Sequence, residues 1–250
     1  MAKVLNFFDV LVYMAENCLF CLAMKRLMAI ILLMCCIAGA YAQSAEDVLN
    51  ARTSAEVSAL MEKAEARYYT PNSPEYDEDA FISVLEAVVS STVADDARVR
   101  AQLLLEEAKK NRPGTVAADF SVVGYDGKEL KLSDFTSEFV LLLFYDPTCD
   151  DCAKLEQDLA ENDSVKAMID SGRLTLLCVY TDEDESLWRS NMVQKPLVGA
   201  WNADGSIIGE GKYDIRSIPE MYLISGKDKK IVAKRPALGN VLSILNDSEH

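Results

Sequence analysis

The chain has 250 residues, half of them hydrophobic, with 25 basic against 40 acidic side chains and a formal net charge of −15. This apolar content excludes a disordered chain, and the length allows one large or two small cores. The acidic balance, with no basic cluster to offset it, excludes nucleic acid and anionic lipid as partners.

The first organised segment is "MKRLMAIILLMCCIAGAYAQ", which begins at Met24 with Lys25 and Arg26. An apolar run from Leu27 to Ala38 follows, then Ala40-Tyr41-Ala42 as a small-residue cleavage site. That is the layout of a secretory signal peptide, and the run is too short to span a bilayer permanently. Cleavage is expected after Ala42, giving a periplasmic or secreted protein with no membrane attachment. The rival is a lipoprotein signal acylated at Cys35 or Cys36. Such a site wants a small residue before its cysteine, and Met34 or Cys35 stands there. Residues 1–23 precede the basic region, so Met24 is the expected start and 1–42 an extension plus leader. "CLFC" in that extension then carries no site.

Residues 43–112 read as an all-helical domain. "SAEDVLNARTSAEVSALMEKAEARYY" places Val57, Leu60, Met61 and Ala64 at helical spacing, and "TPNSPEYD" breaks the pattern. "EDAFISVLEAVVSS" and "DDARVRAQLLLEEAKK" give two further amphipathic helices. The second opens on Asp95 and Asp96 and closes on Lys109 and Lys110, the favourable ends for those charges. "NRPG", 111–114, is the expected stop and linker. No catalytic constellation appears in this half.

Residues 113–250 have another character. "DFSVVGYDGKELKLSDF" contains two alternating strands around Asp126-Gly127, a hairpin signal. "EFVLLLFYD", 138–146, suits a strand buried on both faces. "CDDCAKLEQDLAEN" follows at once with helical periodicity. A strand over 173–180 leads to "DEDESLWRSN", a helix read as opened by Asp182 with Glu185 at capping-box spacing. "VGAWN", "MYLIS" and "KIVAKR" supply later strands. Strands alternating with helices predict an α/β sandwich.

Beyond residue 42 the cysteines are Cys149, Cys152 and Cys178. Cys178, inside "RLTLLCVY", reads as a small buried hydrophobe. Cys149 and Cys152 lie where a buried strand hands over to a helix. The first of such a pair meets the unpaired N–H groups and dipole of the helix start, which stabilise a thiolate. A thiolate there attacks disulfides, and the second thiol, one turn along, resolves the mixed disulfide. Cys149 is therefore the expected nucleophile and Cys152 the resolving thiol. No cofactor and no metal are expected: the sole histidine is His250, and these thiols do not make a tetrahedral set. The same lack excludes a hydrolase triad. The alternative is a non-catalytic interaction module whose Cys149–Cys152 disulfide is structural.

These motifs resemble the thioredoxin superfamily, closest to its exported TlpA- and ResA-like thiol–disulfide oxidoreductases. The resemblance covers residues 113–245. "VLLLFYDPTCDDCAKL" is similar to the family's strand, motif and helix, and the "DGKELKLSDF" hairpin to an addition of that branch. It implies a thioredoxin-like sandwich, a mixed central sheet flanked by helices, preceded here by the all-helical domain. "YDIRSIPEMYLI" resembles the segment with the family's cis-proline, which implies that Pro219 is cis and that the Ile218 backbone pairs with substrate. Thr148 stands where the family usually has Trp, beside the substrate. Leu143 replaces a buried acid, and Glu220 replaces the usual Thr after the proline. The implied partners are thiols and disulfides of exported proteins, with a membrane thiol reductant to reset the pair.

The acids around the motif admit two readings. Asp150 and Asp151 at the first helical positions cap the helix, each by about 0.3–1 kcal/mol. Alternatively Asp146, Asp150 and Asp151 raise the thiol pKa and favour a reducing couple.

Overall fold

The computed structural model describes residues 44–71, 73–193 and 196–247. The expected leader, with Met24, Cys35 and Cys36, lies outside them. Two compact units divide between Leu103 and Leu104.

The first unit is helical among its described residues. Residues 44–50 (α1) precede α2 (Ser54–Tyr68), α3 (Glu78–Ser90) and the opening turns of α4 (Asp95–Ala108). Thr53 caps α2 by accepting from the Glu56 N–H, while the Glu56 carboxylate accepts from Thr53 N–H, so two orphan donors are satisfied reciprocally. Val57, Met61, Ala64 and Tyr68 then share the buried face of α2 at spacings of a helix stripe. Phe81, Val84, Leu85 and Val88 do the same on α3, and the Tyr69 and Phe81 rings stack at 4.5 Å.

The division falls inside α4. A set of polar ties fixes the end of α4 and "NRPG" to the second unit. Lys234 Nζ donates to the carbonyls of Ala108 and Lys110 at 3.1 and 2.9 Å. Asn111 donates to Lys212 O at 2.7 Å and accepts from Ala118 N–H at 2.8 Å. A segment so held is part of the following unit's structure, whatever its linker-like composition.

The second unit is a seven-stranded sheet of order β2-β1-β5-β4-β3-β6-β7. Its strands are β1 (Ser121–Gly124), β2 (Glu129–Lys131), β3 (Phe139–Tyr145), β4 (Leu174–Tyr180), β5 (Val198–Trp201), β6 (Glu220–Ser225) and β7 (Ile231–Lys234). β3, β4 and β5 run parallel, whereas β6 is antiparallel to β3 and β1 to β5. The hairpin β1–β2 turns at Asp126-Gly127, where Gly127 has φ +78°, a conformation glycine adopts without steric cost. α5 (Asp150–Glu161), α6 (Asp163–Asp170), α7 (Glu185–Ser190), α8 (Ser206–Gly209) and α9 (Leu238–Asp247) complete the unit.

Alternation along β3 explains its composition. Leu141, Leu143 and Tyr145 enter one core with Leu159 of α5, Met168 of α6 and Val241 of α9. Val140, Leu142 and Phe144 enter the other with Phe120, Tyr213 and Tyr222. Both faces are covered, so no polar residue is tolerated in the strand. Cys178 sits opposite Leu143 on β4, fully buried, as expected of a small hydrophobe.

One helix start differs from its sequence reading. Asp184, not Asp182, caps α7, accepting from Leu187 N–H at 2.9 Å. The Asp182 carbonyl instead receives the Trp201 indole N–H at 2.8 Å, which holds that residue outside the helix.

Close approach of backbones fixes the β6–β7 turn. A Cβ on Gly226 would stand 1.6 Å from the Ser137 carbonyl oxygen, while Gly226 N–H donates to Glu138 O at 2.9 Å. Gly226→Ala is expected to destabilise the sheet unit by about 3 kcal/mol or more, since backbone must move to admit the methyl. Urea unfolding checks this; an unchanged midpoint would contradict the approach described.

Candidate active site

β3 ends at Tyr145 and the chain turns through Asp146-Pro147-Thr148 into α5. Asp146 shapes that turn: its Oδ1 accepts from the Thr148 N–H at 2.6 Å and from the Thr148 hydroxyl at 2.5 Å. Cys149 is the N-cap of α5, and its Sγ accepts from the Cys152 N–H at 3.2 Å. The first thiol is thus bonded to one of the orphan donors of the helix start, the arrangement that favours negative charge on sulfur.

The chain before β6 meets this thiol from the other side. The Ile218–Pro219 bond is cis, as the resemblance implied. Ile218 O lies 3.9 Å from Cys149 Sγ, so the loop and the helix start converge on one sulfur. Cys149, Cys152, Ile218 and Pro219 are therefore brought together. Thr148 is exposed beside them, with its hydroxyl engaged by Asp146. Asp150 and Asp151 are exposed in the first turn of α5.

Cys149 is half-buried and Cys152 buried, both as free thiols. Burial pushes the Cys152 thiol up to about 12, helped by its hydrogen bond with Cys149. The Asp146 backbone acts in the opposite direction, and the charges of Cys149 and Glu156 add to the rise. Such a thiol holds its proton until the first sulfur has reacted, which suits a resolving role.

Glu156 was not singled out by sequence reasoning. It stands four residues after Cys152, on the same face of α5. Partial burial raises its carboxyl to about 7. Its charge is felt at Cys152, at Tyr145 of β3 and at Cys178 of β4, all three raised first by desolvation. A cleft of about 620 Å³ beside α5 exposes it to solvent, with Tyr145, Pro147, Lys166, Met192 and Leu197 among the other walls. A carboxyl with that value between thiols and water can exchange protons near neutrality. Its only sequence signal was the spacing of four from Cys152. Among the described residues no cluster of His, Cys, Asp or Glu could hold a metal ion.

A mixed seven-stranded sheet flanked by helices, with C-x-x-C at the first helix after the central strand and a cis-proline loop facing it, defines a thioredoxin-like fold. Residues 127–235 match the model of the thioredoxin-like domain family. A crystal structure of a thioredoxin-like protein from Bacteroides caccae is 27% identical, with a TM-score of 0.74, covering 78% of this chain and 71% of that one. A conserved protein of unknown function from Bacteroides fragilis is 30% identical, with a TM-score of 0.51, over 54% of this chain and 98% of its own. The C-terminal domain of an uncharacterized protein from Bacteroides fragilis is 28% identical, with a TM-score of 0.52, over 54% and 98%. No curated protein matches the sequence.

Proposed function

We propose that the chain is an exported thiol–disulfide oxidoreductase that reduces disulfides of other exported proteins. The observation that carries this reading is the placement of Cys149 Sγ between the Cys152 N–H and the Ile218 carbonyl. In the reaction, the Cys149 thiolate attacks one sulfur of the substrate disulfide. A mixed disulfide forms, and the other substrate sulfur leaves and takes a proton. Cys152 then loses its proton to Glu156 or water and attacks Cys149 Sγ. The second substrate sulfur is released as a thiol, and Cys149–Cys152 is left as a disulfide. The substrate gains two electrons and two protons, and a thiol reductant on the membrane side restores the dithiol. Ile218 and Pro219 form the backbone platform for the substrate strand, with Thr148 at its edge. The acids of the motif, Asp146, Asp150 and Asp151, favour a reducing couple.

Export rests on the signal-like segment ending at Ala42. Among the described residues no helix is long and apolar enough to cross a membrane.

The reduction potential of the Cys149–Cys152 pair tests this reading. The expected value lies nearer that of thioredoxin, about −270 mV, than that of DsbA, about −120 mV. A value below about −300 mV together with no turnover of protein disulfides would mark a structural disulfide, hence an interaction module.

A further inference from the structure

The loop 214–220 carries Ile218, and its two ends are joined by a buried ionic network. Asp214 and Glu220 are 5% and 3% exposed. Arg235, just beyond β7, reaches both: Nη2 lies 2.8 Å from Asp214 Oδ2 and Nε 2.9 Å from Glu220 Oε1. The same guanidinium also donates to the Asp214 carbonyl. Glu220 Oε2 accepts from the Arg216 N–H at 2.9 Å and from the Ser217 N–H at 3.4 Å. The Tyr222 hydroxyl lies 3.0 Å from the Asp214 carbonyl and 3.2 Å from Glu220 Oε1. Arg235 is itself fixed, its N–H donating to Met221 O at 2.9 Å from a left-handed backbone with φ 52°.

The location of this network separates it from the thiols. Glu220 pairs with Phe144 and Tyr222 with Leu142 across β3–β6, so both side chains occupy the sheet face of Phe120 and Tyr213. Cys152 and α5 pack on the opposite face. Every side-chain polar atom named above acts on the loop backbone or on another network member. Buried ion pairs are poor sources of stability, because desolvation offsets their attraction, and their better-attested use is to specify one geometry. Here the geometry specified is that of the residues immediately before Ile218.

We propose that Glu220 and Arg235, with Asp214 and Tyr222, are positioning residues that hold the Ile218 carbonyl against Cys149 and so determine capture of peptide disulfides. The proposal rests on the functional reading above. Glu220 contributes nothing to the sulfur chemistry; it closes the loop from behind by receiving two of its N–H groups. A peptide substrate must align along the Ile218 backbone to react, whereas a small disulfide needs only the exposed edge of Cys149. Disturbing the network therefore separates the two substrates.

The experiment compares the full chain with Glu220→Gln, using a peptide pair joined by one disulfide and the small disulfide dithiobis(nitrobenzoate). Gln keeps an acceptor for the loop amides and removes the charge facing Arg235. The expected result is about a tenfold loss in kcat/KM for the peptide, mostly in KM, with the small disulfide reduced at the unaltered rate. Amide exchange at Arg216 and Ser217 is expected to accelerate in the variant. Tyr222→Phe, which deletes one hydroxyl, is expected to act in the same direction to a smaller extent and answers the question if Glu220→Gln does not fold. Equal effects on both substrates, or none on either, overturn the positioning role while leaving the oxidoreductase intact. An unaltered chain that reduces neither disulfide overturns the functional reading and this proposal with it.

Discussion

Cys149→Ser is expected to lower the rate of protein-disulfide reduction at least about a thousandfold, because no other described thiol combines exposure with the start of α5. Cys152 lies buried with its thiol pushed up to about 12, and Cys178 is wholly enclosed in β4. Neither can substitute as the attacking sulfur. Cys152→Ser has a different outcome. The first attack proceeds, resolution stops, and mixed disulfides accumulate through Cys149. Non-reducing gels of envelope proteins exposed to each variant, followed by mass spectrometry of the adducts, measure the asymmetry. Equal trapping by both variants, or none by either, would remove the catalytic reading and leave the interaction module.

How much of this site could be read from the chain depended on whether its chemistry was local. The strand "FVLLLFY" announced itself because burial on both faces admits only apolar residues, and the helix after it is amphipathic. Those two facts place C-x-x-C at a helix start from the sequence alone. The hairpin was equally legible, since Gly127 supplies the positive φ its turn requires. Pro219 was reached by resemblance alone. Nothing in "SIPEM" by itself distinguishes a cis bond facing a thiol from an ordinary turn.

Other features are tertiary and left no local mark. Asn162 both terminates α5 and caps α6, a second helix that the periodicity of "CDDCAKLEQDLAEN" does not announce. Asp182 and Asp184 offer the same capping chemistry, and only the Trp201 indole decides between them. Glu220 stood out as an unusual residue after the proline, yet its partners Asp214, Tyr222 and Arg235 come from the preceding loop, its own strand and the exit of β7. Glu156 resembles the exposed acids Asp158 and Glu161 on the same helix until packing half-buries it. In each case the sequence supplied the group, and its environment came from segments that only folding brings near.

Glu156→Gln carries the second large expected effect, on the pH dependence of resolution. The wild-type carboxyl titrates near 7 because partial burial opposes its charge. Above that pH it is ionised beside Cys152 and can take the thiol proton; below it the site is occupied. Resolution of a preformed mixed disulfide is therefore expected to rise through an inflection near pH 7. Glutamine cannot accept that proton, so at pH 8 the variant is expected to resolve about 10- to 100-fold more slowly, with the inflection gone. The thiols and phenol around it do not titrate in this range, since Tyr145, Cys178 and Cys152 are all raised by desolvation. Stability should change in the opposite sense. A carboxyl raised in the folded state favours folding fully below its unfolded value and loses that contribution as pH rises through 7. Glu156→Gln should thus gain about 1 kcal/mol over wild type at pH 8 and little at pH 4, the figure being reduced for partial exposure to solvent. Stopped-flow resolution and urea unfolding at both pH values measure the two effects on the same protein. Slower resolution at pH 8 in a more stable variant would identify Glu156 as the proton acceptor; unchanged resolution kinetics with the same gain in stability would leave the proton to solvent.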